Sequence, residues 1–170
     1  MYLHKYISPL QKPLTKEENI IRETSISLSK DEDWAVKIVS KEMASFVSKN
    51  SVLVPIPSSK GIAINNLKLV KAISAITHCE INDILISNPR ESQKLRRRSG
   101  VKGYKVEDIK TSLKHPLPYN KEIIMIDNIR VTGATIDSAF KVLPNASYLV
   151  YAQGDEILWP KKEKANRFRV

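Results

Sequence analysis

The sequence predicts an α/β fold in three layers, with a mostly parallel sheet flanked by helices. Two short, continuous apolar segments, at residues 51–57 and 123–126, are typical of strands buried on both faces of a parallel sheet. Between them, residues 66–76 carry apolar side chains about one helical turn apart, as an amphipathic helix does. Strands that alternate with helices imply right-handed crossovers and therefore mostly parallel pairing.

The N-terminal part of the chain holds a strand signal and a helix signal. Residues 2–14 have extended character and are predicted to form an N-terminal strand or hairpin arm. A helix follows, because apolar side chains recur at three- and four-residue steps. Residues 29–33 offer capping side chains and negative charge at its start. The apolar face of this helix is expected to contain Trp34, Ile38, Val39, Met43, Phe46 and Val47.

The rest of the chain continues the alternation. Residues 88–102 have no apolar period and are strongly basic, which predicts an exposed loop. Residues 106–113 are predicted to hold a short helix or a strand pairing. Further strands are expected at 84–86, 122–127 and 147–152, with a helix at 132–143 that stops before Pro144.

The length of 170 residues favours one domain with a substantial core. We expect this domain to comprise residues 1–170, with its core at about 34–152. Residues 1–33 and 153–170 are expected to supply a small hood.

Composition limits the function classes. The chain carries 28 Lys and Arg against 18 Asp and Glu, a formal net charge of +10. This balance suits polyanionic partners such as nucleic acid or small phosphorylated ligands, although a solvated basic surface would give the same count. Cys79 is the single cysteine, so no intramolecular disulfide can form. No apolar segment is long enough to span a bilayer, and Met1–Tyr6 lacks the features of a signal peptide, so a cytoplasmic location without a membrane partner is expected.

One segment combines several features that favour a binding site. The buried strand at 123–126 is followed by Asp127 and Asn128, and Thr132-Gly-Ala-Thr135 then turns the chain into a helix. Gly133 allows the backbone to approach a ligand closely. Amides at the start of a helix, together with two threonine hydroxyls, suit an anion, and a carboxylate just upstream suits sugar hydroxyls or a metal ion. A phosphate beside a diol describes a ribose 5-phosphate.

This pattern resembles the ribose-phosphate signature of the type I phosphoribosyltransferases, and within them the ComF-like branch of competence proteins. The resemblance covers about residues 52–152. It implies that Asp127 and Asn128 face the ribose hydroxyls as the catalytic pair, with Asp127 also at the metal. The residues implied to hold the 5-phosphate are Arg130, Val131, Thr132, Gly133, Ala134 and Thr135.

Two other segments support the resemblance. Val54-Pro-Ile-Pro57, followed by Ser58, Ser59, Lys60 and Gly61, is similar to the family's first strand and pyrophosphate loop. Arg90-Glu-Ser-Gln93 with Arg96, Arg97 and Arg98 is similar to the basic loop of the ComF-like branch, which closes over the pyrophosphate. Asn65 stands where that branch has an Arg-Gly-Phe-Asn element, here without the Arg and Phe.

The resemblance implies an enzyme dependent on Mg²⁺, which transfers the phosphoribosyl group of phosphoribosyl pyrophosphate to an acceptor and releases pyrophosphate. A nucleotide that contains ribose 5-phosphate is an alternative ligand, and a homodimer is left open. Asn128 departs from the pattern, because the family has a second acidic residue there. A ligand-sensing or nucleic-acid-associated protein without catalysis therefore stays open as the alternative.

Arg130 lies inside the motif, and the sequence does not decide whether it contacts a phosphate or solvent. His4, His78 and His115 lack metal-ligand spacing, so surface or packing roles are expected for them. Walker, dinucleotide-binding and serine-hydrolase motifs are absent from the sequence, which argues against those classes.

Overall fold

The computed structural model describes residues 1–6, 13–92, 96, 103–116, 121–130 and 132–154. Its strands are β1 (Tyr2–Tyr6), β2 (Ser51–Pro55), β3 (Glu80–Ile81), β4 (Leu85–Ile86), β5 (Ser112–Leu113), β6 (Glu122–Arg130) and β7 (Ser147–Gly154). Its helices are α1 (Lys16–Ser29), α2 (Asp33–Ala44), α3 (Ile64–Thr77) and α4 (Ala134–Phe140), and a 3-10 turn spans Val106–Ile109.

Five strands form a parallel central sheet in the order β1-β7-β6-β2-β3. The register of its centre runs from Ser51 opposite Glu122 to Pro55 opposite Ile126. All five residues of β2 are buried, as a strand with helices on both sides requires. β4 and β5 form a separate antiparallel pair.

Two apolar clusters lie on opposite faces of the sheet. The first contains buried side chains of α1, α2 and α3 against alternate residues of β2, β6 and β7. The second contains α4 and β4 against the intervening residues, such as Val54 and Met125. The predicted class, a mostly parallel sheet flanked by helices in three layers, is therefore confirmed.

Helix α1 was not predicted. Its start is set by a capping box, in which Thr15 Oγ1 accepts from the Glu18 amide and the Glu18 carboxylate accepts from the Thr15 amide. Thr24, Ser25 and Leu28 are its buried residues. Two of these three are polar, so the buried face has no clear hydrophobic period.

Helix α2 lies where it was predicted, but with a different buried face. Trp34 and Ile38 were assigned to the apolar face and are 46% and 52% exposed. Ala35 and Val36 are buried in their place. Smaller side chains face the core here, which lets the helix pack closely on its neighbours. The N-cap is Glu32, and its side chain makes no capping hydrogen bond.

Several elements differ from the sequence prediction in position. β3 joins the central sheet, whereas the predicted strand at 84–86 appears as β4 in the separate pair. Residues 106–113 contain both a 3-10 turn and β5. β6 continues to Arg130 because its last residues still pair with β7.

The segment expected to form part of the hood contributes to the core. β1 is an edge strand of the central sheet, with Tyr2 opposite Val150, and Leu28 of α1 is buried. The C-terminal part of the expected hood beyond residue 154 lies outside the described residues. The hood stays a prediction. No helix among the described residues has both the length and the apolar character needed to cross a membrane.

Candidate functional site

The carboxyl ends of β2 and β6 lie side by side. The Ile56 amide donates to the Ile126 carbonyl at 3.0 Å, one residue beyond the last paired positions of β2. β6 then continues beside β7 alone, so Asp127 emerges where β2 has turned away. Ligands of parallel sheets bind at this edge.

The loop after β2, residues 58–61, is shaped by its own backbone. The Gly61 amide donates to the Ser58 carbonyl at 3.0 Å, and the Ser58 amide donates to the Ile62 carbonyl at 3.0 Å. Ser58 Oγ also accepts from the Lys60 amide at 3.2 Å. The side chain of Lys60 is exposed.

The loop after β4 is bound directly to the loop after β2. The Ser87 amide donates to the Gly61 carbonyl at 2.9 Å, and the Arg90 amide donates to the Ser59 carbonyl at 2.8 Å. Gly61 has φ +86°, and a Cβ added there would lie 2.4 Å from the Ser87 carbonyl oxygen. Only glycine therefore permits this close backbone approach.

Asp127 is held by one side chain and one amide. Its Oδ1 accepts from Asn66 Nδ2 at 2.9 Å and from the Asn128 amide at 2.9 Å. Burial raises the pKa of the Asp127 carboxyl to about 6, and these two hydrogen bonds act in the opposite direction. The carboxyl is therefore mostly ionised at neutral pH, although its pKa lies closer to neutral pH than that of an exposed aspartate.

Asn66 is a site residue that sequence reasoning missed. Its Nδ2 donates to both the Ile56 carbonyl, at 2.8 Å, and Asp127 Oδ1. Asn65, the residue singled out from the sequence, instead donates to the Ser29 carbonyl at 2.9 Å and ties α3 to α1. A one-residue step on a helix turns the side chain by about 100°, so the site faces Asn66.

Asn128 makes a local contact. Its Oδ1 accepts from the Ile129 amide at 2.7 Å. An aspartate could accept the same bond, so the contact explains the conformation of the residue and does not explain the choice of an amide.

The side chain of Arg130 is held by protein contacts, and its role at a phosphate stays a prediction. Its Nη1 donates to Tyr148 Oη at 3.0 Å, and its Nη2 lies 3.5 Å from Asp137 Oδ1. The guanidinium also covers Gly133, which has φ +79°, because a Cβ added there would lie 2.6 Å from Nη2. Arg130 thus packs on the turn predicted to bind phosphate.

The turn itself has internal and external contacts. The Ala134 amide donates to Thr132 Oγ1 at 3.3 Å. Thr135 Oγ1 accepts from Arg90 Nη2 at 3.3 Å. The loops after β2, β4 and β6 are therefore joined into one cluster, with Arg90 contacting both of the others.

Tyr104 adds an aromatic ring beside this cluster. The guanidinium of Arg96 lies 4.4 Å from the ring centroid, and that of Arg90 lies 5.9 Å from it. Both distances are within the range of cation–π attraction.

The described residues contain no group of three or more His, Cys, Asp or Glu that could hold a metal ion. Asp127 is the one carboxylate of the predicted set. A single carboxylate fits Mg²⁺, which keeps several waters and takes further oxygens from substrate phosphates. Asp127 is the residue that would hold it.

The structure brings most of the predicted site residues to one edge of the sheet. Those in the cluster are Ser58, Ser59, Gly61, Asp127, Asn128, Arg130, Thr132, Gly133, Ala134 and Thr135, with Lys60 on its exposed side and Arg96 near Tyr104. Val131, Arg97 and Arg98 lie outside the described residues. Among the histidines, His4 is 2.6 Å from Glu42 and takes no part in the cluster.

No family model and no curated protein matches this chain. Among solved structures, a purine phosphoribosyltransferase from Pyrococcus horikoshii matches with a TM-score of 0.41 and 12% identity, over 74% of this chain and 71% of that one. Two crystal forms of a hypoxanthine phosphoribosyltransferase from Staphylococcus aureus match with TM-scores of 0.39 and 0.38 and identities of 23% and 19%, over 69% and 70% of this chain. The matches span 61% of the Staphylococcus enzyme in both forms. Similarity at this level is too slight to transfer an activity from those enzymes to this chain.

Proposed function

We propose that this protein is a phosphoribosyltransferase, which binds phosphoribosyl pyrophosphate and transfers its phosphoribosyl group to an acceptor. The observation that carries the proposal is the cluster itself: a partly buried carboxylate, Asp127, stands just before the 132–135 turn, and the basic loop of Arg90 contacts that turn. Carboxylate, anion-binding turn and cation are the three partners that a sugar phosphate with a diphosphate leaving group requires.

Asp127 is the acceptor for the ribose hydroxyls. Its Oδ1 is fixed by Asn66 and by the Asn128 amide, so the carboxylate is oriented before any ligand arrives. Preorganised charge of this kind stabilises the positive charge that develops on the sugar ring in the transition state. The 132–135 turn takes the 5-phosphate through its amides and hydroxyls, with the phosphate replacing Thr132 Oγ1 as the acceptor for the Ala134 amide.

In the proposed reaction, the acceptor forms a bond to the anomeric carbon as the bond from that carbon to the pyrophosphate oxygen breaks. Pyrophosphate leaves with the electron pair, and the acceptor loses its proton to solvent. In this proposal the loop at 58–61 and the basic side chains of Lys60 and Arg96 bind the pyrophosphate and neutralise its charge as it leaves. Mg²⁺, if bound at Asp127, supplies further positive charge to the phosphate oxygens.

Isothermal titration with phosphoribosyl pyrophosphate and Mg²⁺ tests the proposal. We expect the wild-type protein to bind and Asp127→Ala to bind at least tenfold more weakly, since the acceptor for the ribose hydroxyls is lost. Asp83→Ala is a matched control, because Asp83 pairs with Lys114 at 2.7 Å outside the cluster. Folded wild-type protein that does not bind the ligand would sink the proposal.

Asn128 favours a second candidate function, a ligand-binding protein without transfer. The amide carries no charge to stabilise the sugar cation, and its Oδ1 is already engaged by the Ile129 amide. Binding of phosphoribosyl pyrophosphate without pyrophosphate release in the presence of candidate acceptors would support this function. Pyrophosphate release that appears only in Asn128→Asp would identify a site that has lost catalysis through this one residue. Nucleic acid and a homodimer stay predictions.

A further inference from the structure

We propose that Arg90 is a ligand for a phosphomonoester bound on the 132–135 turn, so that the loop after β4 completes this phosphate site. The identity of the turn as a phosphate site rests on the function proposed above. The position and the charge of Arg90 are observations independent of it.

The first argument is position. The backbone of Arg90 is anchored, because its amide donates to the Ser59 carbonyl at 2.8 Å. Its side chain extends from that anchor to the 132–135 turn, where Nη2 lies 3.3 Å from Thr135 Oγ1. A guanidinium that already touches the turn needs no movement of the backbone to reach an anion bound there.

The second argument is charge. Arg90 is only partly exposed, and burial lowers the pKa of its guanidinium. Its hydrogen-bond acceptors are all neutral: Ser87 Oγ at 3.1 Å, the Asn88 carbonyl at 3.2 Å and Thr135 Oγ1. Within the described part of the chain, none of these acceptors is a carboxylate, and the buried Nε of Arg90 has no partner. A partly buried cation without a counterion is costly, and a phosphate dianion would remove that cost.

The third argument is a second cation nearby. Arg96 and Arg90 both lie over the ring of Tyr104, at 4.4 and 5.9 Å from its centroid. The ring attracts each guanidinium, while the two like charges repel each other. Tyr104 therefore holds a second positive charge on the same ring that Arg90 contacts. An anion at this place would be attracted by both side chains.

Titration with inorganic phosphate, ribose 5-phosphate and free ribose tests the assignment. We expect the wild-type protein to bind ribose 5-phosphate, and Arg90→Gln to bind ribose 5-phosphate and inorganic phosphate at least tenfold more weakly. Arg22→Gln, on α1, is the matched control: it removes the same charge and another guanidinium with a buried, unpartnered Nε. Its affinity for both anions should stay within twofold of wild type.

A second variant separates binding from folding. Arg90→Lys keeps the positive charge but loses the planar fork, so intermediate affinity is expected with thermal stability near that of wild type. If a lowered melting temperature shows that Arg90→Gln is too unstable for titration, the test uses Arg90→Lys. The melting temperature of Arg90→Lys should rise less with ribose 5-phosphate than that of the wild type.

The outcomes distinguish the two proposals. Equal affinity of wild type and both Arg90 variants for ribose 5-phosphate overturns the role of Arg90, even if phosphoribosyl pyrophosphate is bound and turned over. Binding of ribose 5-phosphate that depends on Arg90, without any binding of phosphoribosyl pyrophosphate, supports the Arg90 site and overturns the proposed transferase. Wild-type protein that binds neither ribose 5-phosphate nor phosphoribosyl pyrophosphate overturns both the Arg90 site and the proposed transferase.

Discussion

The loops after β2 and β6 lie at the same edge of the sheet and are held in different ways. Residues 58–61 are fixed by backbone hydrogen bonds, within the loop and to Ser87 and Arg90. The last residues of β6 pair with β7 through their backbone, whereas the further contacts of these residues and of the turn after them are made by side chains: Asn66 on Asp127, Arg130 on Tyr148, and Arg90 on Thr135. Each loop has a glycine at positive φ, but Gly61 faces a carbonyl oxygen and Gly133 faces a guanidinium.

This difference separates the tasks of the two loops. Backbone contacts cannot be replaced by contacts with a ligand unless the chain moves. We therefore expect the 58–61 loop to keep its conformation when a ligand binds. Side-chain contacts can be exchanged for contacts with a ligand at small cost. The end of β6 and the turn after it are therefore the part of the site where we expect ligand atoms to replace protein atoms, and where the Asp127 carboxyl makes the contacts sensitive to pH.

Gly61→Ala should have the largest effect on stability. The new Cβ would meet the Ser87 carbonyl oxygen at 2.4 Å, and the residue would be strained at φ +86°. We expect the free energy of unfolding to fall by about 4 kcal/mol, from backbone strain and overpacking together. Chemical denaturation measures this.

Gly103→Ala is the control for the Gly61 change, because positive φ occurs among the described glycines only at 61 and 133. The control should change the free energy of unfolding by less than about 1 kcal/mol. A loss in Gly61→Ala no larger than in this control would show that the loop is not fixed by its backbone.

The sequence predicts the fold well where a whole strand segment is buried. It predicts the fold poorly where a helix has one buried face and one exposed face. β2 is apolar apart from Ser51 and the buried part of β6 is apolar throughout, so their positions follow from composition. Helix α1 buries Thr24 and Ser25, and α2 buries Ala35 in preference to Trp34, so the hydrophobic period there misleads. Tertiary packing determines which faces of α1 and α2 are buried, and the hydrophobic periodicity of the sequence does not reveal this packing.

The site residues also differ in how well the sequence predicts them. Asp127 and the Thr-Gly turn are contiguous in sequence and could be recognised as a motif. Asn66 and Arg90 reach the cluster through the fold, from a helix and from a loop, and no local pattern marks Asn66 out from Asn65. The polar character of position 66 at the start of a helix after a buried strand was the available signal.

The pH dependence of stability should show the titration of Asp127 at the end of β6. The folded pKa of Asp127, about 6, is above its ordinary value of 3.8, so the folded protein holds this proton more tightly than the unfolded chain does. Its contribution to stability is complete below about pH 4 and is lost as the pH rises through 6. Asp127→Asn removes this titration. The difference in unfolding free energy between metal-free wild type and Asp127→Asn should therefore shift by about 2–3 kcal/mol in favour of the variant between pH 4 and pH 7.

Asp83→Asn provides the comparison for this experiment, because Asp83 is an ion-pair partner of Lys114 and not part of the loop after β6. Urea titrations at several pH values give the free energies. If the wild-type and Asp127→Asn curves run parallel from pH 4 to 7, the carboxyl titrates normally and the end of β6 is not the pH-sensitive part of the site.

Gly133→Ala should change the free energy of unfolding less than Gly61→Ala or Asp127→Asn does. The residue is strained at φ +79°, but the new Cβ would meet the far end of the Arg130 side chain, which can move aside. We expect a loss of about 1–2 kcal/mol in unfolding free energy, most of it from the backbone conformation. In an Arg130→Ala background the contact with the guanidinium is gone, so the same substitution should cost less than it does in the wild type. A double-mutant cycle by chemical denaturation measures this coupling. A cost as large as that of Gly61→Ala, or one independent of Arg130, would show that both loops are held by backbone alone and would remove the difference between them.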